Sequence, residues 1–181
     1  MNNTISSEAD HALAKLKEQV GQEMGVSNWV TVTQDMIDMF SKATLDPDPM
    51  HTDPEWCDEN SPFKVPVAFG FMTISLLMHL LHDVVGFQSQ SANGREDMAR
   101  YGLNYGFDRL RLMSPVPVNS RVRGHFKMIG LTERRPGEYL QKISATIEIE
   151  GKDKPALVAE WLSVVITDEG HQRVAQYSSA S

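Results

Sequence analysis

The chain has 181 residues, of which 41% are apolar and 23% charged, so it can bury the core of one globular domain. Its formal net charge of −7 argues against a general nucleic-acid binder, because duplex binding needs a cationic surface. A single cysteine, Cys57, excludes an internal disulfide and fits a reducing compartment. Since the N-terminal residues contain neither a basic stretch nor an apolar one, we expect a cytoplasmic protein without a signal peptide.

Helices dominate the predicted first half of the chain. Residues 1–25 are expected to form an accessory helix outside the main domain. A short strand is predicted at 28–32, and Thr33 then caps a helix. Asp53 and Pro54 start another helix, because aspartate is a common N-cap and proline a common first helical residue.

The run from Gly70 to about Val85 is apolar on nearly every side. A helix of that composition is expected to be buried. His79 and His82 interrupt it, and the run is too short and too broken to cross a bilayer. The two histidines have no evident third ligand, so a metal site there is disfavoured.

The second half changes to the two-residue period of β-strands. Four strands are predicted there, at residues 101–110, 121–128, 139–150 and 156–166. Short connectors between the last three predict antiparallel hairpins. Since the apolar face of such a sheet needs a cover, we expect an α+β fold in which an antiparallel β-sheet wraps around a long central buried α-helix. The domain is placed at 26–168, with a flexible C-terminal tail at 169–181.

Basic residues concentrate between positions 109 and 135, where Glu133 is the one acid. Asp108 lies just before this stretch. A solvated strand face is the usual explanation of such a run. A site for a polyanion, such as the phosphates of coenzyme A, is the alternative. The basic residues are Arg109, Arg111, Arg121, Arg123, Lys127, Arg134 and Arg135.

One loop carries the residue types of acid–base chemistry. Asp46-Pro47-Asp48-Pro49-Met50-His51 sets an acid and an imidazole five positions apart, on a segment that the two prolines are expected to keep out of helix. A carboxylate can take a proton from water, and an imidazole can share or return it. An acid–base pair beside a helix N-terminus suits the addition or removal of water next to a carbonyl.

Two segments resemble a known family. The loop from Asp46 to His51, followed by Val67-Ala68-Phe69-Gly70-Phe71-Met72-Thr73, is similar to the MaoC-like dehydratases and (R)-specific enoyl-CoA hydratases, which have the hotdog fold. The segment Asn104-Tyr105-Gly106-Phe107-Asp108-Arg109-Leu110-Arg111 resembles the subgroup related to nodulation protein N. The likeness runs from about residue 26 to residue 166.

The resemblance implies roles for individual residues. Asp46 and His51 would activate a water, and the Gly70 amide would hold the thioester oxygen, a position where the missing side chain allows close approach. At three positions the chain departs from the residues frequent in the family: Leu45 replaces glycine, Asp48 asparagine and Phe69 histidine. The expected substrate-binding residues are Asp48, Phe69, Phe71, Met72, Arg109, Arg121 and Arg123.

The implied activity is hydration of 2-enoyl thioesters, or dehydration of (R)-3-hydroxyacyl thioesters, in fatty acid metabolism. The resemblance implies a homodimer, a coenzyme A or acyl-carrier-protein substrate, and no metal or redox cofactor. Two alternatives remain: a hotdog thioesterase, and a non-catalytic acyl-thioester-binding protein silenced at Asp48 and Phe69. The choice of base between Asp46 and His51 also remains open.

Overall fold

The structure, a computed structural model, describes residues 14, 16–86, 101–167 and 169–171. Its first half contains two short strands, β1 (Glu23–Val26) and β2 (Val30–Thr31), and the helices α1 (Gln34–Thr44), α2 (Pro49–Thr52), α3 (Pro54–Asn60) and α4 (Gly70–Val85). Its second half contains the long strands β3 (Tyr101–Leu112), β4 (Arg121–Arg135), β5 (Glu138–Ile149) and β6 (Leu157–Ile166). The predicted α+β class and the central helix at 70–85 are confirmed.

The strands form one antiparallel sheet in the order β1-β4-β5-β6-β3, with β2 also paired to β4. The predicted hairpins are confirmed. The β4–β5 turn is tighter than expected because β4 continues to Arg135, so Pro136 and Gly137 alone connect the strands. Gly137 has φ +74°, which suits glycine at that turn. β3 lies at one edge of the sheet and has two register shifts.

Helix α4 packs on the sheet through a tight contact. Its buried Leu77 and Leu80 belong to the same core cluster as Phe126 of β4. At Gly124, a Cβ atom would lie 2.5 Å from Cε2 of Phe126 and 3.0 Å from Cβ of Leu80. The helix and β4 therefore meet where the sheet has no side chain, and the absence of a side chain at Gly124 sets how closely they approach.

The prediction that α4 is apolar and buried on nearly every side is wrong in one respect. Phe71, Ser75, His79 and Asp83 are exposed and recur every four residues, so they form one exposed stripe along the helix. Asp83 accepts hydrogen bonds from the backbone N–H and the Nδ2 amide of Asn28. These bonds lower the pKa of Asp83, the backbone bond most of all, and they tie the end of α4 to the segment between β1 and β2.

The N-terminal half also departs from the sequence prediction. Strand β1 was not predicted, and the strand expected at 28–32 is reduced to Val30–Thr31. In β1, Gly25 has φ +138° and a Cβ there would lie 2.8 Å from Cγ1 of Val84, so the strand lacks a regular side-chain alternation. Most of the accessory helix, the tail beyond residue 171 and the polar segment 88–98 lie outside the described residues. Within the described part, no helix is long and apolar enough to cross a membrane.

Candidate active site

The end of α1 sets the position of Asp46. The helix begins at the predicted cap, Thr33, whose hydroxyl accepts from the Met36 N–H at 3.3 Å. It ends at Leu45, which has the left-handed φ of +59° and is 87% exposed. That conformation explains why glycine suits position 45, since a left-handed residue is strained by its Cβ. The Ser41 carbonyl then accepts the Asp46 N–H at 3.1 Å, and the Ser41 hydroxyl donates to the Asp46 carbonyl at 2.6 Å.

The loop after Asp46 closes into a single helical turn. Oδ1 of Asp46 accepts the Asp48 N–H at 3.2 Å, and Oδ1 of Asp48 caps α2 by accepting the Met50 N–H at 2.9 Å. The expectation that the prolines exclude helix is wrong, because Pro49 takes the first helical position, where its missing N–H costs nothing. Asp48 is thus an N-cap, a role that the family's asparagine would also fill. Asp46 precedes this turn, and His51 is its third residue.

His51 is held at three points. Its carbonyl accepts from Nε2 of Gln34 at 2.9 Å, and its Nδ1 atom lies 2.6 Å from the Val67 carbonyl oxygen. Its ring centroid lies 3.8 Å from that of Phe69, with 37° between the planes. Because a carbonyl oxygen only accepts, Nδ1 carries the proton and Nε2 is left as the acceptor nitrogen of the neutral ring.

The start of α4 lies beside this ring. Phe69 is its N-cap, with φ −56° and ψ 141°, and no side chain makes a capping hydrogen bond there. The first amides of a helix have no intrahelical partner and carry the positive end of its dipole. Gly70, the first residue of α4, is half-buried, and a Cβ on it would lie 2.5 Å from Cδ1 of Leu112. The imidazole of His51 therefore lies against Phe69, the residue immediately before Gly70.

The residues at the start of α4 that were predicted to bind substrate differ in how deeply they are buried. Phe69 is 5% exposed and Met72 is 4% exposed, and both belong to the core cluster. Phe71, in contrast, is 78% exposed.

Cys57 fits its interpretation as a structural residue, because it is buried and its thiol donates to the Met50 carbonyl at 3.3 Å. Burial raises the pKa of the Cys57 thiol, and the nearby carboxylates of Asp53 and Asp48 raise it further.

Two of the three predicted phosphate-binding arginines, Arg121 and Arg123, lie on β4, where their side chains alternate with buried ones. Nη1 of Arg121 is 2.8 Å from Oε1 of Glu150, and Nε of Arg123 is 2.7 Å from Oε2 of Glu148. Both guanidinium groups lie over the Trp29 ring, at 5.4 and 4.4 Å from its centroid. The sequence missed these pairings because they depend on the β4–β5 register, which sets Arg123 opposite Glu148.

Glu148 also accepts a hydrogen bond from a second neighbour, since Nε2 of His125 lies 2.7 Å from the same oxygen. The hydrogen bonds from Arg123 and then His125 lower the pKa of Glu148. Arg109 of β3 is 81% exposed, and its Nε is 3.7 Å from Oε1 of Glu160. The net positive run of the sequence thus faces carboxylates of neighbouring strands, and its role in binding phosphates stays a prediction. Among the described residues, no three His, Cys, Asp or Glu side chains are grouped so as to hold a metal ion.

An antiparallel sheet around a central helix, with an acid- and histidine-bearing loop at the start of that helix, defines a hotdog domain of the hydratase and dehydratase class. Residues 15–150 match the family described as "MaoC like domain". The chain belongs to the MaoC-like dehydratase family, as the resemblance in the sequence predicted.

Two relatives are similar over most of their length. Nodulation protein N of Rhizobium meliloti (strain 1021) is 39% identical over 153 residues, which cover 84% of this chain and 90% of that protein. The 3-hydroxyacyl-thioester dehydratase Z of Mycobacterium tuberculosis (strain ATCC 25618 / H37Rv) is 38% identical over 149 residues, which cover 82% and 92%. The predicted resemblance to the subgroup related to nodulation protein N is therefore confirmed.

Solved structures share the fold at low identity. A monoamine oxidase regulatory protein from Archaeoglobus has a TM-score of 0.68 at 17% identity, over 82% of this chain and 91% of that one. The (R)-hydratase from A. caviae has a TM-score of 0.60 at 22% identity, over 80% and 94%. The ChsH1-ChsH2 complex from Mycobacterium tuberculosis has a TM-score of 0.59 at 14% identity, over 81% and 97%, and shows this fold in an assembly of two components.

Proposed function

We propose that the protein is a hydro-lyase that interconverts 2-enoyl and (R)-3-hydroxyacyl thioesters. The observation that carries the proposal is the position of His51, whose Nδ1 atom is held by the Val67 carbonyl and whose ring lies against Phe69, the N-cap of α4. The name of the mycobacterial relative, a 3-hydroxyacyl-thioester dehydratase, supports the same reaction. Nodulation protein N carries no reaction in its name, so that relative neither adds to the proposal nor opposes it.

In the hydration direction, the oxygen of a water forms a bond to the β-carbon of the enoyl thioester. The single proton that this water loses goes to one member of the pair, the Asp46 carboxylate or Nε2 of His51. The pair gives one proton back to the α-carbon, so it ends in the protonation state in which it began. Negative charge develops meanwhile on the thioester oxygen. The Gly70 N–H, at the positive end of α4, stabilises it, and one such donor typically contributes about 3–4 kcal/mol to lowering the barrier.

We further propose that the substrate is a coenzyme A or acyl-carrier-protein thioester and that two chains form a homodimer. Strand β3 supports this assembly, because it lies at the edge of the sheet and exposes Leu103, Tyr105 and Phe107 by 52%, 55% and 38%. An exposed apolar edge strand is a natural surface for pairing with another chain. The exposed Phe71 of α4 adds apolar surface that a single chain leaves in water.

The reaction is tested with crotonyl-CoA, whose conjugated enoyl group absorbs in the ultraviolet. Loss of that absorbance without release of free thiol supports hydration. Release of thiol shows a thioesterase on the same fold, and binding without either change shows a non-catalytic protein. Both of these outcomes overturn the proposed reaction.

The acid–base pair is tested by Asp46→Asn and His51→Asn. Asparagine at 46 still accepts the Asp48 N–H, and asparagine at 51 offers an amide N–H in place of Nδ1 but no base, so we expect folding to persist and turnover to fall by at least about 100-fold. Asp58→Asn and His79→Ala are matched controls at exposed positions and should retain activity. Full turnover in either site variant removes that residue from the mechanism.

A further inference from the structure

We propose that Phe69 is a positioning residue that fixes the orientation of the His51 ring relative to the Gly70 amide. This inference rests on the proposed function and assigns Phe69 a role beyond lining the substrate site. The hydrogen bond from Nδ1 to the Val67 carbonyl is a single point of attachment, about which an imidazole can still tilt. The centroid of the Phe69 ring lies 3.8 Å from that of the imidazole, and this contact prevents the imidazole from tilting.

Phe69 is buried, and the start of α4 holds its backbone. It is 5% exposed, and its ring packs on that of Phe40, with centroids 5.3 Å apart and 39° between the planes. Its carbonyl accepts the Thr73 N–H at 3.0 Å and the Thr73 hydroxyl at 3.2 Å, the first bonds of α4. The side chain that touches the imidazole therefore belongs to the residue that starts the helix.

Phe69 therefore connects the base, His51, with the oxyanion donor, the Gly70 amide. The backbone of Phe69 precedes the Gly70 amide directly, whereas its ring packs on His51, so one residue sets the distance between the base and the oxyanion donor. Proton transfer and oxyanion stabilisation both depend on alignment, and a displacement of about 1 Å can cost up to roughly 100-fold in rate. Histidine, frequent at this position in the family, has a planar ring that can make a similar contact, whereas an aliphatic side chain cannot.

The test compares Phe69→Leu, Phe69→His and Phe40→Leu. Phe40→Leu removes the other ring of the same aromatic cluster, whose partner in the structure is Phe69. For Phe69→Leu we expect kcat for crotonyl-CoA hydration to fall about tenfold with KM within about twofold, because ring alignment is lost while binding remains. Phe69→His should recover most of the rate, and Phe40→Leu should stay within about threefold of the original protein.

A second readout does not depend on turnover. Nitrogen-15 NMR of the imidazole reports which nitrogen carries the proton, and we expect the Nδ1–H form in the original protein and a mixture of both forms in Phe69→Leu. Should Phe69→Leu not fold, Phe69→Met carries the same comparison. If crotonyl-CoA is not hydrated by the original protein, the proposed function fails, and the NMR comparison still decides whether Phe69 restrains the ring.

The positioning role is overturned by any of three results. In the first, Phe69→Leu keeps both the rate and the single protonated form. In the second, Phe40→Leu has the same effect as Phe69→Leu, which would indicate general loosening of the core. In the third, Phe69→Leu changes KM and leaves kcat intact, which would make Phe69 a substrate-binding residue only.

Discussion

The contact between α4 and β4 at Gly124 gives a prediction that depends on the fold alone. In Gly124→Ala the added methyl would lie 2.5 and 2.6 Å from ring carbons of Phe126 and 3.0 Å from Cβ of Leu80. These two side chains are 1% and 0% exposed, so neither has open space to move into. Overpacking of this kind costs about 1–3 kcal/mol, and the gain from restricting the unfolded chain returns roughly 0.4–1 kcal/mol.

We therefore expect Gly124→Ala to lower the free energy of unfolding by about 1–2 kcal/mol. In a chain of this size that corresponds to a fall in Tm of roughly 2–8 °C. Urea titration at one fixed protein concentration measures the change without interference from assembly. Gly130→Ala is the control in the same strand, because its added Cβ would make an ordinary contact of 3.5 Å with Lys142, so its stability should stay the same or rise by up to about 1 kcal/mol. Equal stability of the two variants would show that Phe126 and Leu80 do not fill the space beside Gly124 as described.

Three further changes probe other parts of the chain. Leu45→Gly should raise Tm, because it removes roughly 1 kcal/mol of left-handed strain at a side chain that is 87% exposed; Leu45→Ala, which keeps the strain, should not. Asp83→Asn should be less stable than the original protein at neutral pH. The pKa of Asp83 is lower in the folded than in the unfolded chain, so its carboxylate stabilises the fold at any pH above the unfolded pKa of about 3.9. This stabilisation is lost as the pH falls through the folded pKa. The Tm values of Asp83→Asn and the original protein should therefore converge as the pH is lowered from 7 to 3. Arg121→Glu should raise KM for coenzyme A substrates and Glu150→Gln, which frees Arg121, should lower it; an unchanged KM in both removes the phosphate role from β4.

The local signals of the sequence were sufficient for several elements. The apolar run after Gly70 predicted α4 with its bounds, because helix length and composition are properties of a continuous segment. Thr33 and Asp53 were predicted as caps and cap their helices, since a cap depends on residues within three positions. The alternation in β4 and β5 and the apolar run of β6, with short connectors, were enough to predict an antiparallel sheet.

Contacts between distant segments were not predictable in the same way. The partner of the His51 ring is the Val67 carbonyl, and a backbone acceptor has no signature in the sequence. The pairing of Arg123 with Glu148 follows from strand register, which becomes fixed only when the strands meet. Likewise, an apolar composition could not show that α4 leaves the stripe containing Phe71 in water, because exposure depends on what the other elements cover.

The sequence by itself determined the central helix and the long strands of this protein, its family and the residue types of its candidate site, because each is encoded over a short stretch of chain. Only the tertiary structure decided that the imidazole of His51 lies against Phe69, beside the start of α4. The physical reason is that this arrangement depends on close packing between segments about 20 residues apart, and packing is a property of the folded chain as a whole.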